Sequence, residues 1–133
     1  MSDSTNTDVG RLLFRQVHPS WIQNGRPSSQ TFQPTPKDEN KLSVYDSSLT
    51  TAQASYDYHT TELKLRSAGV LGVTVAEVDA AQRAFTLDGV PVPAHGFIDF
   101  EGLSGGQAKK VAQRLQLAAL ARPWSYQPEN AGA

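Results

Sequence analysis

The run Ser28-Ser-Gln-Thr-Phe-Gln-Pro-Thr-Pro-Lys-Asp-Glu-Asn-Lys-Leu-Ser-Val-Tyr-Asp46 concentrates side chains that could do chemistry. Just upstream lie Arg15 and His18. Arg15 and Lys37 are suited to pair with an anion. Ser29, Gln30 and Thr35 supply directed hydrogen bonds, and Asp38 adds a carboxylate. His18 adds an imidazole, the side-chain type suited to switching charge near neutral pH. Pro34 and Pro36 fix φ and drive the residues before them towards extended geometry, so 33–37 is expected as a stiff, extended loop. A rigid loop carrying these groups is a suitable place for a site. The expected ligand-binding set is therefore Arg15, His18, Ser29, Gln30, Thr35, Lys37 and Asp38. Its expected partner is a protein or a small anionic, nucleotide-like ligand held through the 28–41 loop.

Other constellations compete with this one. His18, His59 and His95 invite a metal, but they are scattered and no H-E-x-x-H pattern is present, so no metal is expected. Ser29, His18 and Asp38 contain the residue types of a nucleophilic triad, without a nucleophile elbow. Trp21, Phe32 and Tyr45 interleave with Arg15, Arg26, Lys37 and Lys41. Such a mixture suits base stacking plus phosphate pairing. Asp38, Glu39 and Asp46 dilute the positive charge there.

Two stretches resemble known families. Arg15 on a first strand, Ser43 on a second and Glu77 on a later one are similar to the arrangement in ADP-ribosyltransferases of the Arg-Ser-Glu type. That resemblance implies NAD as cofactor. Arg15 and Ser43 would hold the dinucleotide, and Glu77 would polarise a ribose hydroxyl. The sequence departs from the family where Val75-Ala76 precede Glu77 and where Leu42-Ser43-Val44 replaces a Ser-Thr-Ser motif. Leu103-Ser-Gly-Gly-Gln107 resembles the signature motif of ABC-type ATPases, and Lys110-Val-Ala extends the likeness. No G-x-x-x-x-G-K-[ST] loop accompanies it. Ser104 and Gln107 read instead as a capping box that opens a helix. The reading without a cofactor leads, and a nucleotide- or NAD-using enzyme is the alternative; whether the chain is an enzyme stays open.

Pattern also sets the scaffold that holds these residues. The chain has 133 residues, 38% of them hydrophobic and 19% charged, a net charge of −1 and no cysteine. This suits a single domain with one core. It disfavours a dedicated nucleic-acid binder and excludes disulfides and thiolate metal sites. Residues 1–10 carry only Met1 and Val9 as apolar side chains and read as a disordered tail, 11–127 as the domain, and 128–133 as a second tail. Strands are expected over 11–18, 41–46, 70–78 and 95–100, with short extended pieces on either side of Asp88-Gly89. Helices are expected from about 51 to 65 and from 104 to 122, the second with apolar residues at i, i+3, i+4 spacing. The sum is an α+β domain. Its sheet is small, mixed or antiparallel, of about four to five strands, and is covered by one or two helices. No basic, apolar leader opens the chain and no apolar run reaches ~18 residues, so a cytoplasmic protein without a membrane span is expected.

Overall fold

The computed structural model describes residues 11–34, 40–122 and 124–128. Thr35, Lys37 and Asp38 and both expected tails beyond residues 11 and 128 lie outside the described residues. The strands are β1 (Leu12–Gln16), β2 (Ile22–Gln23), β3 (Arg26–Pro27), β4 (Lys41–Asp46), β5 (Val70–Thr74), β6 (Phe85–Leu87) and β7 (His95–Asp99). The helices are α1 (Ala52–Asp57), α2 (Val75–Ala80) and α3 (Gly105–Leu120). Single 3₁₀ turns occupy Pro19–Trp21 and Ser29–Phe32. The main sheet is antiparallel, in the order β5-β1-β4-β7-β6, and β2-β3 forms a separate ribbon. The expected small α+β architecture is what forms.

Alternation along the strands divides the core in two. Leu13, Leu42, Val44, Leu71, Val73 and Ile98 face one side, where they meet Phe32 and the Ala112, Leu115 and Ala119 stripe of α3. Burying a side chain such as Leu115 contributes roughly 1.5–3 kcal/mol. Ser104 accepts a bond from the Gln107 N–H and Gln107 reaches back to the Ser104 N–H, so the capping box forms as expected. On the other side, Phe14, Tyr45 and Val70 pack with Ala52, Tyr56, Tyr58 and Tyr126. There α1 runs into a π-helical segment, Tyr58–Glu62, which shortens the helix expected to reach residue 65.

The strand expected over 70–78 ends at Thr74. Thr74 accepts from the Glu77 N–H, and the Glu77 carboxylate accepts from the Thr74 N–H, so a second capping box converts the β-branched run into α2. Glu77 is thus on a helix, not on a strand as the transferase resemblance required. Its carboxylate is also gripped by both Arg122 amino groups, at 2.9 and 2.7 Å. Burial would raise the Glu77 pKa, but the bonds from Arg122 and Thr74 outweigh it and hold it below the usual value. A depressed carboxylate contributes stability that is complete above its unfolded pKa and is lost as pH falls through its folded one. Glu77→Gln keeps an oxygen for the capping box, removes the charge and replaces the oxygen that accepts from Arg122 Nη2 with a donor. It is expected to cost about 1 kcal/mol in urea unfolding at pH 7, typical of a bidentate but partly exposed pair. The gap from wild type should close below about pH 4. An equal gap at pH 7 and pH 3 would show that the charge contributes nothing.

The hairpin dipeptide also behaves differently from its expected role. Leu87 pairs with Gly96, not with Val90 to Val92, so Asp88 to Ala94 form a long connection. A Cβ at Gly96 would lie 2.5 Å from the Phe85 ring and from the Thr86 carbonyl oxygen. The close approach of β6 therefore needs glycine there, at the second residue of β7.

Candidate functional site

β1 and β4 pair only at Leu13–Asp46 and Phe14–Tyr45. Beyond Phe14, β1 stays with β5 as far as Gln16–Val70 while β4 stays with β7. The sheet therefore opens between its second and third strands. A cavity of about 410 Å³ occupies this opening. Its walls come from the end of β1 (Arg15, Gln16), the turn after it (His18, Trp21), β4 (Ser43, Tyr45), the π segment with the chain just beyond it (His59, Leu63, Leu65, Arg66), and the β7 side (Pro91, His95).

Arg15 spans the gap. Its Nε donates to the Thr31 carbonyl at 2.7 Å and its Nη1 to the Ser43 carbonyl at 3.0 Å. The second of these bonds gives β4 a donor on the side that β1 has left, and the first ties Arg15 to the 3₁₀ turn. The guanidinium also lies 5.4 Å from the Trp21 ring centre, a cation–π distance. His18 faces the same indole at 5.7 Å, and its Nδ1 accepts the Ser20 N–H at 3.0 Å. In the neutral ring that leaves Nε2 as the donor. Gln16 is buried, its amide satisfied by Ser55 and Ser67 at 3.2 and 2.9 Å.

The ionisation of the walls is set by burial and neighbours. Tyr45 is pushed up to about 12, first by burial and then by Tyr58, with Arg15 opposing, so its hydroxyl stays a donor at neutral pH. His59 is held below the usual imidazole value. Burial is the main cause, Arg15 and His18 add to it, and a bond with the Arg66 backbone opposes it. Among the described residues, no Asp or Glu lines the cavity.

The structure brings Arg15, His18 and Ser43 to one cavity. It places Ser29 elsewhere, on a separate polar cavity of about 460 Å³ with Gln23, Asn24, Arg26, Gln113 and Gln116. Gln30 is exposed on the 3₁₀ turn, which ends at Phe32; Gln33, the first residue of the expected 33–37 extended loop, is extended, and 35–37 lie outside the described residues. Phe32 is fully buried under α3, not available for stacking. Thr74, at the far end of β5, pairs with Leu12, whereas Arg15 pairs with Leu71, so Glu77 is held away from Arg15 and Ser43 at the opposite end of the strands. All three histidines line the cavity, yet among the described residues no three His, Asp or Glu side chains gather as metal ligands.

Sequence reasoning missed one linkage altogether. His95 bonds Asp88 through Nδ1 at 2.7 Å and Ser43 through Nε2 at 3.2 Å. Ser43 and His95 are diagonal neighbours across β4 and β7, because Ser43 pairs with Phe97 and Tyr45 with His95. Only the Asp88–His95 half was accessible from sequence, as two polar residues flanking one hairpin connection.

No protein-family profile matches the chain, and no curated protein and no solved structure matches it either. Among the described residues no helix is long and apolar enough to cross a membrane.

Proposed function

We propose that the chain is a binding module for a small ligand with a flat apolar body and one anionic group. The observation that carries this is the cavity wall: Arg15, Arg66 and three histidines line it with Trp21, Tyr45, Leu63 and Leu65, and among the described residues no carboxylate does. A charge-assisted bond to a cationic side chain is worth roughly 1.5–3 kcal/mol, and the aromatic and leucine surfaces suit a ring. The volume falls within the ~300–1,000 Å³ of ordinary ligand pockets. The expected anionic ligand is thus kept, while its place moves from the 28–41 loop to the cleft between β1 and β4. NAD is not part of this reading, because Glu77 is committed to Arg122.

The test is calorimetric titration of the full chain with 2-naphthoate, with adenosine monophosphate and with the neutral isostere 2-naphthamide. At least one anion should saturate a single site, and 2-naphthamide should bind at least tenfold more weakly than 2-naphthoate. The naphthoate affinity should also rise as pH falls from 7.5 to 5.5. Burial, with Arg15 and His18 adding to it, lowers the His59 pKa in the free protein, and a bound anion would raise it, so binding takes up a proton. Equal affinity for the acid and the amide, or no heat with either anion at millimolar concentration, would refute the reading.

A further inference from the structure

We infer that Ser43 is an activatable nucleophile, and that Ser43, His95 and Asp88 form an acyl-transfer relay for carboxylic esters on the wall of this cavity. The inference shares the cavity with the anion reading but does not rest on it. A nucleophile needs a base within about 2.6–3.2 Å, and that base needs a third group to orient it. Both conditions are met. Ser43 Oγ lies 3.2 Å from His95 Nε2, and His95 Nδ1 lies 2.7 Å from Asp88 Oδ1.

The supporting groups fix the direction of proton transfer. Asp88 also accepts the Val90 N–H at 3.3 Å, which orients its carboxylate. Burial would raise the Asp88 pKa, but the bonds from His95 and Val90 outweigh it and keep the carboxylate ionised. An ionised Asp88 holds the proton on His95 Nδ1, leaving Nε2 as acceptor for the Ser43 hydroxyl. Tyr45 packs edge-on against the imidazole at 5.6 Å and restrains its plane. Ser43 stands within β4, paired with Phe97 of β7 on one side and bonded through its carbonyl to Arg15 on the other, so its position is set by a strand rather than by a loop. Its side chain is open to solvent, and its own carbonyl accepts from Arg15 at 3.0 Å. That places a guanidinium on the backbone of the same residue, in the wall of the same cavity.

The chemistry balances without a cofactor. Ser43 Oγ attacks the ester carbonyl carbon as its proton passes to His95 Nε2, and the carbonyl oxygen becomes an oxyanion. Collapse breaks the bond to the alcohol, which leaves with the proton from His95. Water then attacks the acyl-serine, gives a proton to Nε2, and the acid departs as Ser43 recovers its proton. The apolar walls at Trp21, Leu63 and Leu65 would receive a small aromatic or branched acyl group.

The experiment is covalent labelling of the full chain with an alkyl fluorophosphonate, which forms a phosphorus–oxygen bond to the serine and releases fluoride. Intact mass should rise by one adduct, and peptide mass spectrometry should place it on Ser43. Ser43→Ala should abolish labelling with an unchanged circular dichroism spectrum. His95→Gln should slow it at least 100-fold. Asp88 acts through His95, so Asp88→Asn should slow labelling about tenfold and shift the midpoint of the rate–pH profile downwards, a change that a merely structural role would not produce. An adduct on another residue, an equal rate in Ser43→Ala, or no adduct at all would overturn the inference. Naphthoate binding without labelling would leave the binding module standing, and labelling without naphthoate binding would separate the two in the other direction.

Discussion

Asp46→Ala is expected to lower the unfolding free energy by about 3–5 kcal/mol, the range for removing one partner of a buried ion pair. Asp46 is fully buried at the end of β4. Its Oδ1 accepts from Arg11 Nε at 2.9 Å, from the Ser48 N–H at 2.9 Å and from the Ser48 hydroxyl at 2.8 Å, while Oδ2 accepts from Arg11 Nη2. Burial alone would raise its pKa, but these bonds more than compensate and hold it below the usual carboxylate range. The same residue shapes the chain: its carbonyl accepts from the Leu49 and Thr50 N–H groups, turning the backbone towards Thr51, the N-cap of α1. Loss of the Asp46 side chain therefore takes the carboxylate from Arg11, frees the turn and loosens the helix that covers the Phe14–Tyr45 face. Asp46→Asn keeps an acceptor for Ser48 and should cost less. Urea unfolding of both variants at pH 7, with Arg11→Ala completing a double-mutant cycle, measures the effect. A loss under about 1 kcal/mol in Asp46→Ala, or no coupling to Arg11, would contradict it.

The legibility of the chain divides along physical lines. α3 could be read because two local signals agree: the Ser104-x-x-Gln107 box and an apolar stripe that includes Ala112, Leu115 and Ala119. β4 was equally clear. The run from Val70 to Val78 misled because β-branched residues favour strands, while the Thr74-x-x-Glu77 box inside it favours a helix start. The box prevailed because capping is local and satisfies orphan N–H donors, whereas β propensity mainly reports packing on a sheet face. Thr74 is the last residue of β5, and α2 turns away to bring Glu77 to Arg122.

Sheet order was not legible, and the site depends on it. β1 lies between β5 and β4, and its early departure from β4 creates the cavity. Nothing in the residues of either strand announces where a ladder stops. Arg15 and His18 were expected to face the 28–41 loop; Arg15 does reach the Thr31 carbonyl, but the cavity that both line is built from β4, the π segment and β7 rather than from Ser29 and Gln30. Ser43 and His95 are 52 residues apart, and only the register Ser43–Phe97 makes them neighbours. A one-residue slip of β7 would turn His95 to the α3 face and remove the linkage.

Arg15 is where fold and site meet, and its replacement should damage both to measurably different degrees. Arg15→Met keeps an apolar stem against Trp21 and removes every N–H donor. The Thr31 and Ser43 carbonyls then each lose a bond from a charged donor, so unfolding should weaken by about 2–3 kcal/mol, with water satisfying part of the exposed Ser43 side. If the cavity binds an anion through this cation, naphthoate affinity should fall by roughly 10–100-fold, the equivalent of about 1.4–2.8 kcal/mol. Arg15→Lys separates the two roles. An ammonium keeps the charge but lacks the rigid fork that spans two carbonyls. The Lys variant should therefore lose most of the stability that Met loses, yet bind naphthoate within a few-fold of wild type. Stability is read from urea unfolding and affinity from calorimetry on the folded variants. Met binding as tightly as wild type would remove the cation from the site and leave Arg15 as a strut alone; Lys binding as weakly as Met would mean that the fork, and not the charge, holds the ligand.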